Sequence, residues 1–147
     1  INSIKYNKGK TNPSTKSFQA IRMIVNQELS EIYQALEYII NNCKHGAVII
    51  IVTFHSLEDM LVKRIFNYYG KKKSFSRYIP KSEDQDDVCI NFLANKAIKP
   101  SDMEIKQNPS SRSAKLRIIK KIKNPNIKLK RENLNMEKYF KLEELYV

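Results

Sequence analysis

Glycine is nearly missing from this chain: three in 147 residues, at positions 9, 46 and 70. A loop that cradles a phosphate or a dinucleotide needs several glycines close together, so no such loop can be built here. Tryptophan is absent, and the two cysteines, Cys43 and Cys89, form no CxxC pair. Neither a disulfide framework nor a zinc site follows from them, and buried free thiols are the simpler reading. Cys43 and His45 could supply two metal ligands, but no second cluster completes a tetrahedral set, so no metal site is assigned. No apolar run of about 18 residues could span a bilayer, and no basic start with an apolar run suggests secretion. The expected compartment is the cytoplasm, with no membrane partner. Nucleophile elbows, HExxH and paired carboxylates on one helix face are also lacking. The chain opens on Ile1 rather than Met, which suggests a processed or partial product.

What the chain has in excess is positive charge. Lysine and arginine number 27 against 15 acids, a formal net charge of +12. That balance points to an anionic partner, nucleic acid ahead of a membrane surface. Lysines outnumber arginines 21 to 6 and Asn and Ile are abundant as well, a pattern that AT-rich coding also produces. Charge alone therefore carries only part of the argument.

Three stretches are expected along the chain: a linker at 1–12, a domain at 13–123, and a basic tail with a short helix at 124–147. After Pro13, apolar residues Phe18, Ile21, Val25, Leu29, Ile32, Leu36, Ile39 and Cys43 recur in steps of three and four. This spacing predicts one long helix, capped among Ser14, Thr15 and Ser17 and closed at Gly46. Val48 to Val52 has no polar alternation, which predicts a strand covered on both faces, as in the middle of a parallel sheet. Ser56-x-x-Asp59 resembles a capping box opening a helix to about Tyr69. The α-β-α order implies an open parallel sheet, in which ligands gather beyond the carboxyl ends of strands, where Phe54, His55 and Ser56 stand. A mobile loop is expected after Gly70, then strands at Val88–Ala94 and Ala114–Ile122, with a short helix capped by Ser101 between them and ended at Asn108-Pro109.

His55, Ser56 and Glu58 are the candidate pocket residues. His55 could touch a base or phosphate, or simply hydrogen-bond its loop while Ser56 and Asp59 cap the helix. Taken alone, the second reading is favoured, because caps are commoner than sites. Gln19, Arg22 and Asn26 share a helix face that is either a polar strip over a bound chain or ordinary solvated surface. Asn108 to Arg117 interleaves hydroxyls and cations, a run suited to phosphate or to a plain polar loop, and alternation puts Lys115 and Arg117 on one face.

Three segments, "NPSTKSFQAIRMIVNQEL" (12–29), "TFHSLEDMLVKRIF" (53–66) and "KAIKPSDMEIKQNPSSRSAKLR" (96–117), together resemble one bacterial family, ribosomal RNA small subunit methyltransferase H. The resemblance covers roughly residues 12–120 and corresponds to the C-terminal portion of the family. It implies methylation of the exocyclic N4 of a cytosine in 16S rRNA, with S-adenosyl-L-methionine as methyl donor. It also implies an α/β fold: the C-terminal portion of a class I (Rossmann-like) S-adenosylmethionine methyltransferase sheet, with the N-terminal strands and glycine-rich loop absent. Residues 1–12 would be the exit from a helical insertion, Val48–Val52 the fifth strand, and Val88–Ala94 with Ala114–Ile122 the terminal pair.

The chain departs from the family pattern at Asn12, Lys16 and His45-Gly46-Ala47, and Met60 and Ser110 stand where the family has arginines, which weakens RNA contact there. No counterpart is identified after Lys123. On this resemblance His55, Ser56 and Glu58 would line the target-base pocket. Arg22, Asn26, Lys63, Arg112, Lys115 and Arg117 would contact RNA. No cofactor-binding residue is assigned, because the family's main cofactor contacts lie on the missing half. The expected partner is 16S rRNA or the small ribosomal subunit, and the chain is expected to be an inactive fragment by itself, active only with a separate N-terminal half or as part of a longer polypeptide. A different class of reading is a non-catalytic RNA-binding remnant of a split or decayed gene.

Overall fold

The computed structural model describes residues 13–70, 88–126 and 128–145. The linker expected at 1–12 and most of the loop expected after Gly70 lie outside the described residues. The elements run α1 (Pro13–Val25), α2 (Glu28–Asn42), β1 (Val48–Thr53), α3 (Ser56–Gly70), β2 (Ile90–Phe92), α4 (Asp102–Gln107), β3 (Lys115–Lys121) and α5 (Glu137–Glu144). Single 3₁₀ turns at Pro109–Ser113 and Arg131–Leu134 precede β3 and α5.

The expected long helix is two helices. Gln27 takes a left-handed conformation, φ 50° and ψ 38°, and breaks the chain between α1 and α2. The break coincides with a tertiary contact. In a continuous helix the amides of Leu29 and Ser30 would bond to carbonyls four residues back. Here both donate to the carboxylate of Glu143, at 3.0 Å each, and the Ser30 hydroxyl adds a third bond at 2.7 Å. Glu143 thus takes the amides that an N-cap side chain would otherwise satisfy.

The opposite end of α2 is closed by Lys121. Its side chain is buried, and Nζ donates to the carbonyls of Asn41 and Cys43 at 3.1 and 2.6 Å. An acid at the amino end and a base at the carboxyl end both suit the helix dipole.

β1, β3 and β2 form an antiparallel sheet in that order, with Ile49 opposite Ile119 and Phe92 opposite Ile119 on the other side. The expectation of a central parallel strand is therefore corrected. Among the described residues β1 is an edge strand, and only one of its faces is covered. Ile49, Ile51 and Thr53 turn toward α3 and the core, which also contains Leu61, Ile65, Phe66, Ile90 and Ile119. Val48, Ile50 and Val52 on the other face are 52%, 56% and 48% exposed. The unbroken apolar run is real, but the covering layer it calls for is not among the described residues.

The terminal segment, expected as a basic tail with a short helix, does contain the helix, and it is packed into the core. Leu129, Leu134, Met136 and Phe140 are buried beside α2 and α3, Tyr33 donates to the Leu129 carbonyl at 2.7 Å, and Tyr33 meets Phe140 edge-on at 5.9 Å. The strands expected at 88–94 and 114–122 are trimmed to Ile90–Phe92 and Lys115–Lys121. The short helix opens on Ser101, whose hydroxyl accepts from the Glu104 amide at 3.2 Å.

Candidate nucleic-acid interface

β1 delivers Phe54 and His55 to the amino end of α3. The capping box there is not Ser56-x-x-Asp59. Nδ1 of His55 accepts from the Glu58 amide at 3.3 Å, while Glu58 Oε2 accepts from the amides of Phe54 and His55 at 2.8 and 3.2 Å. His55 therefore plays the part usually taken by Ser or Thr, with Glu58 reaching back, one residue earlier than the sequence suggests. Ser56 is left exposed at the rim.

Asp59, freed from capping, is buried and pairs with Lys115 at 3.0 Å and Arg117 at 2.8 Å. The register explains this: Lys115 and Arg117 lie opposite Thr53 and Ile51, on the face of β3 turned toward α3. Burial alone would raise the Asp59 carboxyl, but hydrogen bonds and charge from Arg117 and Lys115 hold it below the ordinary carboxylate range.

A third acid joins the junction from α2. Glu28 accepts from Arg22 Nε at 2.7 Å and Nη2 at 3.2 Å, and its Oε2 lies 3.5 Å from His55 Nε2, which is 3.2 Å from Glu58 Oε1. Burial works to raise the Glu28 carboxyl, yet Arg22, with help from His55, brings it below its usual value. Sequence spacing hides Glu28, because in one straight helix it would sit about 240° around from Arg22. Only the break at Gln27 brings the two together.

Glu28, His55 and Glu58 place three ligand atoms within 4.8 Å of one another. The bond from the Glu58 amide occupies the lone pair of Nδ1, so the neutral ring carries its proton on Nε2, between the two carboxylates. Nε2 approaches both carboxylates, at 3.5 and 3.2 Å, without a hydrogen bond of good geometry, and the trio reads as a polar cluster around the cap of α3.

Two hollows flank Phe54, which is 56% exposed. One, about 450 Å³, is lined by Gln19, Phe54, His55, Ser56, Lys99, Arg112, Ser113, Ala114 and Lys115. The other, about 400 Å³, is lined by Thr15, Phe18, Gln19, Arg22, Phe54 and His55. Cations around an exposed aromatic ring suit a single-stranded nucleic acid, whose phosphates need charge and whose bases need a stacking surface.

Of the sequence candidates, His55, Ser56, Arg22, Arg112 and Lys115 line these hollows. Glu58 sits behind His55, Arg117 is held by Asp59, and exposed Asn26 and Lys63 line neither hollow. Phe54, which the sequence places at the strand end without giving it a role, and Lys99, which it does not single out, also line the hollows. Among the described residues, no carboxylate beside the hollows is left to face the sulfonium of S-adenosylmethionine. The sulfonium is a cation, the hollows present Arg22, Lys99, Arg112 and Lys115, and the nearby carboxylates already face Arg22, His55, Lys115 and Arg117.

Residues 1–122 match the MraW methylase family, and the chain belongs to it. It is similar to the ribosomal RNA small subunit methyltransferase H of Rickettsia akari (strain Hartford), 42% identical over 127 residues, covering 82% of this chain and 40% of the relative. The protein of the same name from Leptospira borgpetersenii serovar Hardjo-bovis (strain JB197) is 40% identical, with 85% of this chain and 35% of the relative covered. For that of Sulfurihydrogenibium sp. (strain YO3AOP1) the figures are 43%, 78% and 34%. The chain thus spans at most about two fifths of these relatives' length.

Proposed function

We propose that this chain is the RNA-facing, C-terminal part of an S-adenosylmethionine-dependent methyltransferase that modifies the exocyclic N4 of a cytosine in 16S rRNA. In this reading it is inactive alone. Family membership and the relatives' names support the reaction class. The observation that carries the RNA role is the pair of cation-lined hollows around exposed Phe54 at the end of β1. A target cytosine turned out of its stack would be received beside His55 and Ser56, with Glu58 holding the His55 ring. Arg22, Arg112 and Lys115 would hold the RNA backbone, Asn26 and Lys63 would extend the contact along the flanks, and Arg117 would anchor Asp59 beneath it.

The bound cofactor supplies the methyl group from residues other than those described here. We assign the remaining strands of a Rossmann-like sheet, with the glycine-rich loop, to a separate N-terminal half that pairs along the open edge of β1. Support comes from the bare Val48, Ile50 and Val52 face and from the exposed Phe18, Ile21 and Val25 of α1.

The test incubates unmethylated small ribosomal subunits and cofactor with this chain, with the N-terminal remainder of the Rickettsia akari relative, or with both. Methyl transfer to cytosine N4 is expected only from the mixture. RNA binding by this chain, together with a mixture that associates yet transfers nothing, would favour the non-catalytic RNA-binding remnant.

A further inference from the structure

Everything from Leu129 to Glu143 lies beyond residue 122, where the family match ends, yet it grips the two helices whose amino ends build the candidate site. On α2, Glu143 holds the Leu29 and Ser30 amides and the Ser30 hydroxyl, and the Leu129 carbonyl accepts from Tyr33. Arg131 lies over the Tyr33 and Phe140 rings, 5.5 and 4.8 Å from their centroids, and adds cation–π attraction. On α3, Arg64 donates to the carbonyls of Leu134 and Asn135 at 2.5 and 2.7 Å.

The consequence is geometric. Glu28 is the first residue of α2 and His55 caps α3, so the placement of the two helix starts sets the Glu28–His55 separation. Glu143 also takes the two amides whose release ends α1, and without it α1 and α2 could close into the single helix that their apolar spacing favours. Glu28 would then rotate away from Arg22 and His55.

We propose that the 129–143 segment is a strap in which Glu143 is a positioning residue, breaking the α1–α2 helix so that Glu28 and Arg22 are held against His55. Its bearing on RNA modification rests on the reading above; the geometry of the strap does not.

Histidine-selective ¹⁵N NMR of the full chain tests it, with a His45→Gln variant assigning the two imidazoles. Glu143→Gln should move the His55 ring resonances to the positions that Glu28→Gln produces, and combining the two should add nothing further. Leu134→Ala trims the core beneath the same segment without touching the Glu143 carboxylate, so it controls for general loosening and should shift the His55 ring less than Glu143→Gln does. Should Glu143→Gln fail to fold, Ser30→Ala, which removes one bond to the same carboxylate, should give a smaller shift in the same direction. An unmoved His55 ring in folded Glu143→Gln or in Ser30→Ala overturns the proposal, as does an equal shift from Leu134→Ala. Loss of the methyltransferase reading with these shifts intact would leave the strap standing.

Discussion

Asp59 shows how one side chain can be misread from its position. As a carboxylate three residues after Ser56 it looks like a cap, yet it is the counter-ion of Lys115 and Arg117. Because its pKa and that of Glu28 are lowered on folding, their contribution to stability is complete above the ordinary values of 3.8 and 4.5, and it is lost as pH falls through the lower folded-state values. Thermal unfolding followed from roughly pH 6 to pH 3 should show a steep acid-side fall in Tm. Asp59→Asn should lower Tm near neutrality and flatten that fall; an unchanged acid slope would show that the pair contributes nothing. Gly70, at the end of α3, is constrained by space: a Cβ there would stand 2.6 Å from Phe92 Cε2 and 3.0 Å from Ile90 Cγ1. Gly70→Ala should therefore cost about 1–3 kcal/mol by urea denaturation, the usual range for overpacking.

Among the elements, α2 depends most on distant residues. Its amino end is capped by Glu143 and its carboxyl end by Lys121, both buried, and no side chain of its own N-cap, Gln27, makes a capping bond. Lys121→Met keeps the length of the aliphatic stem and removes two hydrogen bonds to helix-end carbonyls. It should destabilise the chain by about 1–3 kcal/mol, with the amides of the last turn of α2 exchanging faster in hydrogen exchange. Stability and exchange both unchanged would mean that water replaces the ammonium there.

At the scale of the whole molecule, what matters most is that among the described residues β1 has an open edge and a bare face. A strand with unpaired backbone groups and half-exposed Val48, Ile50 and Val52 is a template for another chain. Alone, the protein should self-associate with concentration in sedimentation velocity, and Ile50→Lys should suppress this and also abolish pairing with an N-terminal half. A variant that still associates as tightly would place the contact elsewhere. For the proposed RNA surface, Arg112→Ala should weaken single-stranded RNA binding and reduce the slope of log K against log salt by about 0.7, the share of one phosphate contact. A slope that does not change would remove Arg112 from the RNA path.

Local chemistry made much of this readable in advance. Apolar spacing marked the stretch that α1 and α2 share and the stripe of α3, an unbroken apolar run marked β1, Ser101 announced α4, and FQAIR, FHSLED and RSAKLR identified the family because they are specific strings at specific separations. The break at Gln27, the partners of Asp59, the ends of α2 and the company of Glu28 were decided only in three dimensions. Each depends on a residue far along the chain, more than a hundred positions for Glu143, and side-chain periodicity reports which face of an element is apolar without naming what will cover it. The same limit explains β1. Five apolar residues in a row state that both faces want cover, and the tertiary structure shows that one face has it.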